Sequence, residues 1–377
     1  MKIAISLVWI RHKVAGGVES FTRNILDGLK NDSSKNIYVL LCSIDNIDSF
    51  RHYEQDSRFS VYECPVHTAS LKETLFFESF KLDDLVSEMK ADLCFIPSFR
   101  MPLLGKKNKY VVVVHDLISS NMPELFTWYR RNWLNYATKR AWRSADSLVT
   151  ISNFVAEDLT NRFGARDRRY TVYNPILPDR DTTDFAEIQA KYDIKENHYF
   201  YTVSSLAKNK NLITLLKTMD LIKDDVFFND YKLLISGVGL SKEARSRFDA
   251  DYFFDFLEEK GLKERCVFTG FVSNEERNTL IANSKCFLFP SVFEGFGMPV
   301  VEAMELGANV ITTKCASIPE VSHNLANYVD DPYDEKEWCK MIKNHVNDSV
   351  ETIHFSEYEL SNITSQYLKI FEEVVNL

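Results

Sequence analysis

Cysteine pairs of the C-x-x-C type are missing from this 377-residue chain; its seven cysteines, Cys42, Cys64, Cys94, Cys266, Cys286, Cys315 and Cys339, are odd in number and widely scattered. Neither a disulfide framework nor a zinc site is indicated, and a reducing cytoplasm is the expected compartment. Long apolar runs are missing too. Stretches such as 111–114 and 286–290 fall far short of the roughly 20 residues that cross a bilayer. The start of the chain has one lysine and then the apolar or small run 3–10, with no small-residue cleavage site behind it, which reads as a buried first strand and not as an export signal. No strong internal repeat and no low-complexity tract is found, which argues against repeat arrays and disordered arms. An overall basic charge is also absent: the net charge of −9 argues against general nucleic-acid binding.

What is present suits an ordered globular chain, with 45% hydrophobic and 26% charged residues, and the length predicts about two domains. The charge is unevenly split. Residues 1–178 carry 24 Lys+Arg against 20 Asp+Glu, a net of +4, whereas residues 179–377 carry 21 against 34, a net of −13. Short apolar runs at 3–10, 37–42, 91–96, 110–115 and 147–151 alternate with helical stretches, the first marked by the stripe Val18, Phe21, Ile25, Leu29. The pattern restarts after Asn174-Pro175-Ile176-Leu177-Pro178 and the acidic, Thr-rich linker 179–184. New strands are predicted at 199–204, 232–236, 266–268, 286–290, 309–313 and 328–329, with helices at 212–219, 243–259, 275–282 and 299–306. Strands alternating with helices predict a parallel sheet in each half, and ligands of such sheets bind in the loops at the strands' carboxyl ends.

Four of those loops carry candidate chemistry. In Phe289-Pro290-Ser291-Val292-Phe293-Glu294-Gly295-Phe296-Gly297-Met298-Pro299-Val300-Val301-Glu302 a buried strand ends, a two-glycine loop comes next, and Pro299 suits a helix's first turn. Such a turn binds anions through free N–H groups, and Glu294 and Glu302 would flank a phosphate-sized position as acceptors for sugar and ribose hydroxyls. The residues alone also allow a plain strand–helix connection with Glu294 exposed. In Ser204-Ser205-Leu206-Ala207-Lys208-Asn209-Lys210-Asn211 a cation can act on developing negative charge, or the turn is simply solvated with an Asn capping the helix. Ala15-Gly16-Gly17-Val18-Glu19 lets backbone approach a phosphate closely but does not fit G-x-G-x-x-G, so a nicotinamide dinucleotide is not expected. Val114-His115-Asp116 ends a strand in a His that can donate to a hydroxyl, or that is structural, with Asp116 fixing its tautomer or capping the next turn of chain.

The stretch Glu294-Gly295-Phe296-Gly297-Met298-Pro299-Val300-Val301-Glu302 resembles the family 4 glycosyltransferases, retaining enzymes whose E-G-F-G-x-P-x-x-E motif holds the sugar nucleotide. The resemblance implies an α/β fold of the GT-B type, two Rossmann-like domains facing each other across a cleft. Residues 1–178 would form the acceptor-binding domain, 179–362 the sugar-nucleotide-binding domain, and 363–377 a closing helix packed back on the first. It implies that Glu294 and the N–H groups of Gly295, Phe296, Gly297 and Met298 contact the donor sugar, and that Glu302 contacts the ribose. Lys210 would clamp the diphosphate, Gly16 and Gly17 would close over it from the other domain, and His115 would stand in the active site. Glu320, in Ser317-Ile318-Pro319-Glu320-Val321, would lie near the donor pocket or serve as a helix-start carboxylate. The arginine that accompanies the lysine in the family has no counterpart at its two candidate positions, Ser205 and Asn209, so Lys208 or a more distant base would replace it, while Ser205 and Asn209 themselves would still meet the donor. Ser152 in Val149-Thr150-Ile151-Ser152-Asn153-Phe154 would cap a helix.

The activity so implied is transfer of a sugar from a nucleoside-diphosphate sugar to a hydroxyl of a glycan or lipid-linked acceptor, with retention, in cell-surface polysaccharide synthesis. Glu294, Lys210 and His115 are the expected catalytic residues, no general base is assigned, and neither a cofactor nor a metal is expected. The acid-free segment from Trp128 to Arg143 interleaves Arg130, Arg131, Lys139, Arg140 and Arg143 with Trp128, Tyr129, Trp133, Tyr136 and Trp142. It reads either as an interfacial helix on the anionic inner face of the cell membrane or as an amphipathic helix whose aromatics are core. Three other readings compete. A metal-dependent transferase needs a D-x-D after a buried strand, whereas Asp179-Arg180-Asp181 and Asp249-Ala250-Asp251 lie in the linker and in a charged helix. A GT-B epimerase or phosphorylase is the second, and a non-enzymatic two-lobed sugar-binding protein, which would normally be exported, the third.

Overall fold

The alternation of apolar runs with helices folds into two separate parallel sheets. The computed structural model describes residues 1–11, 16–103, 106–176, 181–238 and 250–377, and the chain divides into one unit of Met1–Leu177 with Ser356–Leu377 and a second of Pro178–Phe355.

In the first unit β1 (Lys2–Ser6), β2 (Ile37–Ser43), β3 (Phe59–Cys64), β4 (Leu93–Ile96), β5 (Tyr110–Val114), β6 (Ser147–Thr150) and β7 (Arg169–Thr171) pair in the order β3-β2-β1-β4-β5-β6-β7, all parallel. Strands covered by helices on both faces must be apolar throughout, and every residue of β4 and β5 is buried. The edge strands β3 and β7 escaped the sequence reading for the converse reason: Ser60 and Glu63 in β3 and Arg169 in β7 face solvent, so no apolar run marks them. The first strand also stops earlier than expected, at Ser6, because the chain turns there and Ile10 N–H bonds to Leu7 O at 3.0 Å.

The closing helix runs over Leu360–Val375 and packs on the helix Gly17–Asn31 and on β4 and β5. Gly28 permits that approach, since a Cβ there would lie 2.0 Å from Thr364 Oγ1. The residues leading into it belong to the first unit as well. Ile176 N–H donates to Tyr358 O at 2.8 Å and the rings of Tyr173 and Tyr358 meet at 5.2 Å, so the second unit ends at Phe355 and not at residue 362.

The second unit contains β8 (Tyr199–Val203), β9 (Lys232–Ser236), β10 (Cys266–Gly270), β11 (Cys286–Phe289), β12 (Val310–Thr313) and β13 (Asn327–Val329), all parallel in the order β10-β9-β8-β11-β12-β13. Its core joins Leu215, Leu216, Met219 and Ile222 of the helix Leu212–Ile222 to Trp338 and Ile342 of the helix Glu335–His345. Of the helix expected at 243–259, residues 243–249 lie outside the described residues and the rest forms Asp251–Glu259. In both sheets the strand order reverses once, between β1 and β4 and between β8 and β11, and the crevice at the carboxyl ends of such a pair is where open α/β sheets bind ligands.

Candidate active site

The second unit's reversal point is formed by the loops after β8 and β11, which bring the two strongest sequence candidates together. Lys210 ends the short turn Lys208–Lys210, and its ammonium donates to Glu294 Oε1 at 2.5 Å. The same ammonium stands 5.9 Å from the centre of the Phe289 ring. Charge-assisted hydrogen bonds are about twice as strong as neutral ones, and this pair is largely covered, with Lys210 25% and Glu294 13% exposed.

The loops that carry the pair are bolted to each other. Asn209 Nδ2–H donates to Phe293 O at 3.2 Å, while Asn209 O accepts from Val292 N–H at 2.8 Å and from Ser291 Oγ–H at 3.1 Å. At the end of β12, Thr313 Oγ1–H donates to Ser291 O at 2.6 Å, and beyond the strand the buried Ser317 hydroxyl lies 3.0 Å from Glu294 O and 2.9 Å from Phe296 O. Asn209, expected to meet the donor, is thus buried as a strut between two loops. Gly297 then opens the helix Met298–Glu305 at φ +99°, in the left-handed region that glycine alone adopts cheaply, and Pro299 stands in the first turn. Gly297 offers no side-chain cap, so the first N–H groups of the helix look for an acceptor elsewhere.

Glu302 stands in that helix with its carboxylate 3.6 Å from the Arg277 guanidinium. Enclosure raises its pKa, Arg277 pulls it back down, and Glu305 adds a smaller upward push. Sequence reasoning missed Arg277, an isolated base in the helix Asn274–Ala282 whose Nε is buried without a hydrogen-bond partner among the described residues. It missed Ser317 and Thr313 as well, because a hydroxyl that ties down backbone leaves no motif. Ser205 Oγ accepts from Ala207 N–H at 3.5 Å, Lys208 is exposed, and Glu320 lies in the short helix Ile318–Val321.

In the first unit Gly16, at φ +62°, opens the helix Gly17–Asn31, and its carbonyl accepts from Glu19 N–H at 3.0 Å and Ser20 N–H at 3.2 Å. Ala15 lies outside the described residues. His115 comes directly after β5 with Nε2 3.0 Å from Pro97 O and its ring edge-on to Phe21 at 4.8 Å. A carbonyl can only accept, so Nε2 carries the proton; loss of surrounding water pushes the ring's pKa down to about 4, which keeps it neutral. Nδ1 is therefore an acceptor, and the expected donation to a hydroxyl is reversed: a hydroxyl can donate to His115. Asp116 takes the capping role, its Oδ1 accepting from Ile118 N–H at 3.0 Å. Ser152 likewise caps the helix Asn153–Phe163 through Val155 N–H.

The basic aromatic segment forms the helix Trp128–Ser144 with its aromatics divided: Trp142 is buried, whereas Trp128, Tyr129 and Tyr136 are 62%, 80% and 55% exposed. No helix among the described residues is long and apolar enough to cross a membrane, and none of their His, Cys, Asp and Glu side chains gather in threes able to hold a metal ion. Asp179, Arg180 and Asp249 of the two D-x-D pairs lie outside the described residues.

Residues 184–360 match the family described as Glycosyl transferases group 1, and residues 15–180 match Glycosyltransferase Family 4. The chain belongs to the family 4 glycosyltransferases. An Escherichia coli protein named O-antigen chain mannosyltransferase B is 26% identical over 243 residues, 63% of this chain and 61% of the relative. The O-antigen chain mannosyltransferase RfbU of Salmonella typhimurium is 28% identical over 245 residues, 65% of this chain and 62% of the relative. The alignments thus span less than two thirds of either relative. Among solved structures, Anabaena HepE in complex with UDP-glucose superposes with a TM-score of 0.71 at 18% identity, over 100% of this family member and 98% of that chain. WaaG, described as a glycosyltransferase involved in lipopolysaccharide biosynthesis, gives 0.69 at 14% identity, over 99% and 95%. At these identities the likeness is one of fold, the GT-B arrangement of two Rossmann-like domains.

Proposed function

We propose that this family member is a retaining glycosyltransferase that moves a hexosyl group from a nucleoside-diphosphate sugar to a hydroxyl of a glycan or lipid-linked acceptor, in cell-surface polysaccharide synthesis. The observation that carries the reading is the Lys210–Glu294 pair at the reversal point of the second sheet, next to an uncapped helix start. On this reading the second unit holds the donor and the first unit the acceptor. Glu294 accepts from donor-sugar hydroxyls, Glu302 from ribose hydroxyls, and Lys210, with the N–H groups from Gly295 to Met298, meets the diphosphate. The bond between anomeric carbon and phosphate oxygen breaks as the acceptor oxygen adds on the same face, and the acceptor's proton passes to the departing phosphate oxygen. Lys210 then stabilises the charge that grows on the leaving phosphate oxygen as the bond breaks, the kind of interaction that lowers a barrier. His115, neutral, accepts a hydrogen bond from a sugar hydroxyl through Nδ1 and orients the sugar.

The relatives named mannosyltransferases make a mannosyl donor the first to try. The test is release of nucleoside diphosphate from a panel of GDP-, UDP- and dTDP-sugars, with the anomeric configuration of the product read by NMR. Turnover of one donor with retention is expected; no turnover of any donor, or inversion, overturns the reading. Seven unpaired cysteines support a reducing, cytoplasmic compartment. The exposed Trp128 and Tyr129 beside Arg130 and Arg131 support peripheral contact with an anionic membrane. Cosedimentation with anionic vesicles should then fall as salt rises, and equal binding to neutral vesicles would remove that contact.

A further inference from the structure

The reversal point of the first sheet holds a cluster that no motif announced. Trp9 lies after β1 and Arg100 after β4, so the two flank the crevice between the strands where order reverses. The Arg100 guanidinium stands 5.9 Å from the centre of the Trp9 ring and 6.0 Å from that of Trp133, on the helix Trp128–Ser144. Behind it is Glu78 of the helix Leu71–Phe80, only 2% exposed, with Oε2 at 3.5 Å from Arg100 Nη1. That is an ion pair without hydrogen-bond geometry: both Glu78 oxygens, and Trp9 Nε1 as well, are buried with no hydrogen-bond partner among the described residues. Buried polar groups are satisfied in the great majority of cases, and a group of unsatisfied ones in one place points to function.

The loop that presents Arg100 is fixed at several points. Pro97 O meets His115 Nε2 at 3.0 Å, Ser98 O accepts from Val113 N–H at 3.3 Å, Pro102 O accepts from Arg140 Nε–H at 3.3 Å, and Leu103 N–H donates to Ser79 O at 3.2 Å. A planar fork of donors is therefore held in place within 6.0 Å of the centres of two indole rings, on the loop whose Pro97 meets His115. Hydroxyls on a ring with an apolar face match that combination, because guanidinium N–H groups take the hydroxyls and an indole takes the C–H face. A bare phosphate would use the guanidinium and leave the indoles without a role.

We propose that Trp9, Arg100 and Trp133 form the acceptor subsite, which holds a hexopyranose residue of the acceptor glycan, and that Glu78 positions Arg100 from behind. This rests on the transferase reading above, and adds the acceptor's chemical class and the side chains that recognise it.

The experiment is calorimetric titration of the full chain with the methyl glycosides of mannose, glucose and galactose, for wild type, Arg100→Ala, Trp133→Ala and Glu78→Gln. GDP and UDP are titrated into the same proteins to check that the second unit is intact. Should Arg100→Ala fail to fold, Arg100→Lys replaces it, since lysine keeps the charge and loses the fork. One glycoside is expected to bind wild type and to weaken by about tenfold or more in the Arg100 and Trp133 variants, the loss typical of a charged hydrogen bond. Glu78→Gln should weaken it less, and Trp133→Phe should restore part of the affinity. The ratio of sugar transferred to that glycoside over donor hydrolysed in water should fall in the same order, which a purely structural role would not produce. Wild-type affinity in the Arg100 and Trp133 variants, absence of any glycoside binding to wild type, or displacement of the glycoside by equimolar inorganic phosphate would overturn the subsite. A chain that hydrolyses no nucleotide sugar but shows this pattern of binding loses the transferase reading and keeps the subsite. Normal transfer in every variant does the reverse.

Discussion

The two sheets reverse strand order at the same relative place, yet the loops at the two reversal points are held together to different degrees. In the second unit the struts between the loops are occupied, Lys210 on Glu294, Asn209 on Phe293, Thr313 on Ser291 and Ser317 between two carbonyls, and only Arg277 Nε and the uncapped start of the helix Met298–Glu305 stay open beside them among the groups described above. In the first unit Glu78 is buried beside Arg100 with no well-formed hydrogen bond among the described residues, and burial, against the smaller pull of Arg100, pushes its pKa up to about 7. A satisfied network is rigid before any ligand arrives, which suits a site that must stabilise one charge distribution in every turnover. A less satisfied one, with Trp9 Nε1 unmet among the described residues, leaves a donor for a ligand, which suits recognition. On the readings proposed above, preorganisation and recognition thus sit on separate sheets.

The largest effect expected is on turnover, with Glu294→Gln or Lys210→Ala lowering kcat by about 10²-fold or more. Because the two act as a pair, the double variant should be little worse than the poorer single one; fully additive losses in steady-state kinetics would separate them.

The pH dependence of stability sharpens the contrast further. Glu78, raised from 4.5 to about 7, holds a proton in the folded chain that the unfolded chain has lost, so its contribution falls as pH rises from about 4.5 to 7. His115, lowered from 6.5 to about 4, stays neutral where the unfolded chain binds a proton, so its contribution falls as pH drops from about 6.5 to 4. Each amounts to about 3 kcal/mol at 1.36 kcal/mol per pKa unit, and over the shared window they oppose one another. Denaturant unfolding of Glu78→Gln should therefore expose a loss of stability on acidification, and that of His115→Gln a loss as pH rises. Parallel curves for wild type and both variants would contradict the two assignments.

Struts come next in size. Ser317→Ala leaves buried carbonyls unmet and should cost about 1–3 kcal/mol of unfolding free energy, and Gly297→Ala, forced to positive φ, about 1–2 kcal/mol. Equal stability in both variants would mean that the loop tolerates slack. The smallest expected effect is none at all: chelation by EDTA should leave turnover unchanged if, as proposed above, Lys210 and backbone N–H groups meet the diphosphate. Activity lost to EDTA and restored by Mn²⁺ would return the metal-dependent alternative.

Legibility in the sequence followed the same divide. Glu294, Gly297, Pro299 and Glu302 lie within nine residues, so backbone requirement and chemistry coincide in a contiguous string, and the family resemblance singled out Lys210 in a loop that its residues alone left open. Trp9, Glu78, Arg100 and Trp133 come from four elements up to 124 positions apart, and only the β1–β4 neighbourhood brings them together. The central strands were visible because burial on both faces demands apolar runs; β3 and β7 were not, because edges relax that demand. The helix from Trp128 was read as either surface or core and is both, since one face of a helix carries Trp142 inward while another leaves Tyr129 in solvent.

The measurement that tests the division of labour most directly is release of nucleoside diphosphate from the preferred donor in the absence of acceptor, compared between wild type and Lys210→Ala. A fall of about 10²-fold or more in the variant, with the nucleotide still bound, is the result expected if the second unit alone stabilises the leaving group. Hydrolysis at the wild-type rate in Lys210→Ala would contradict it.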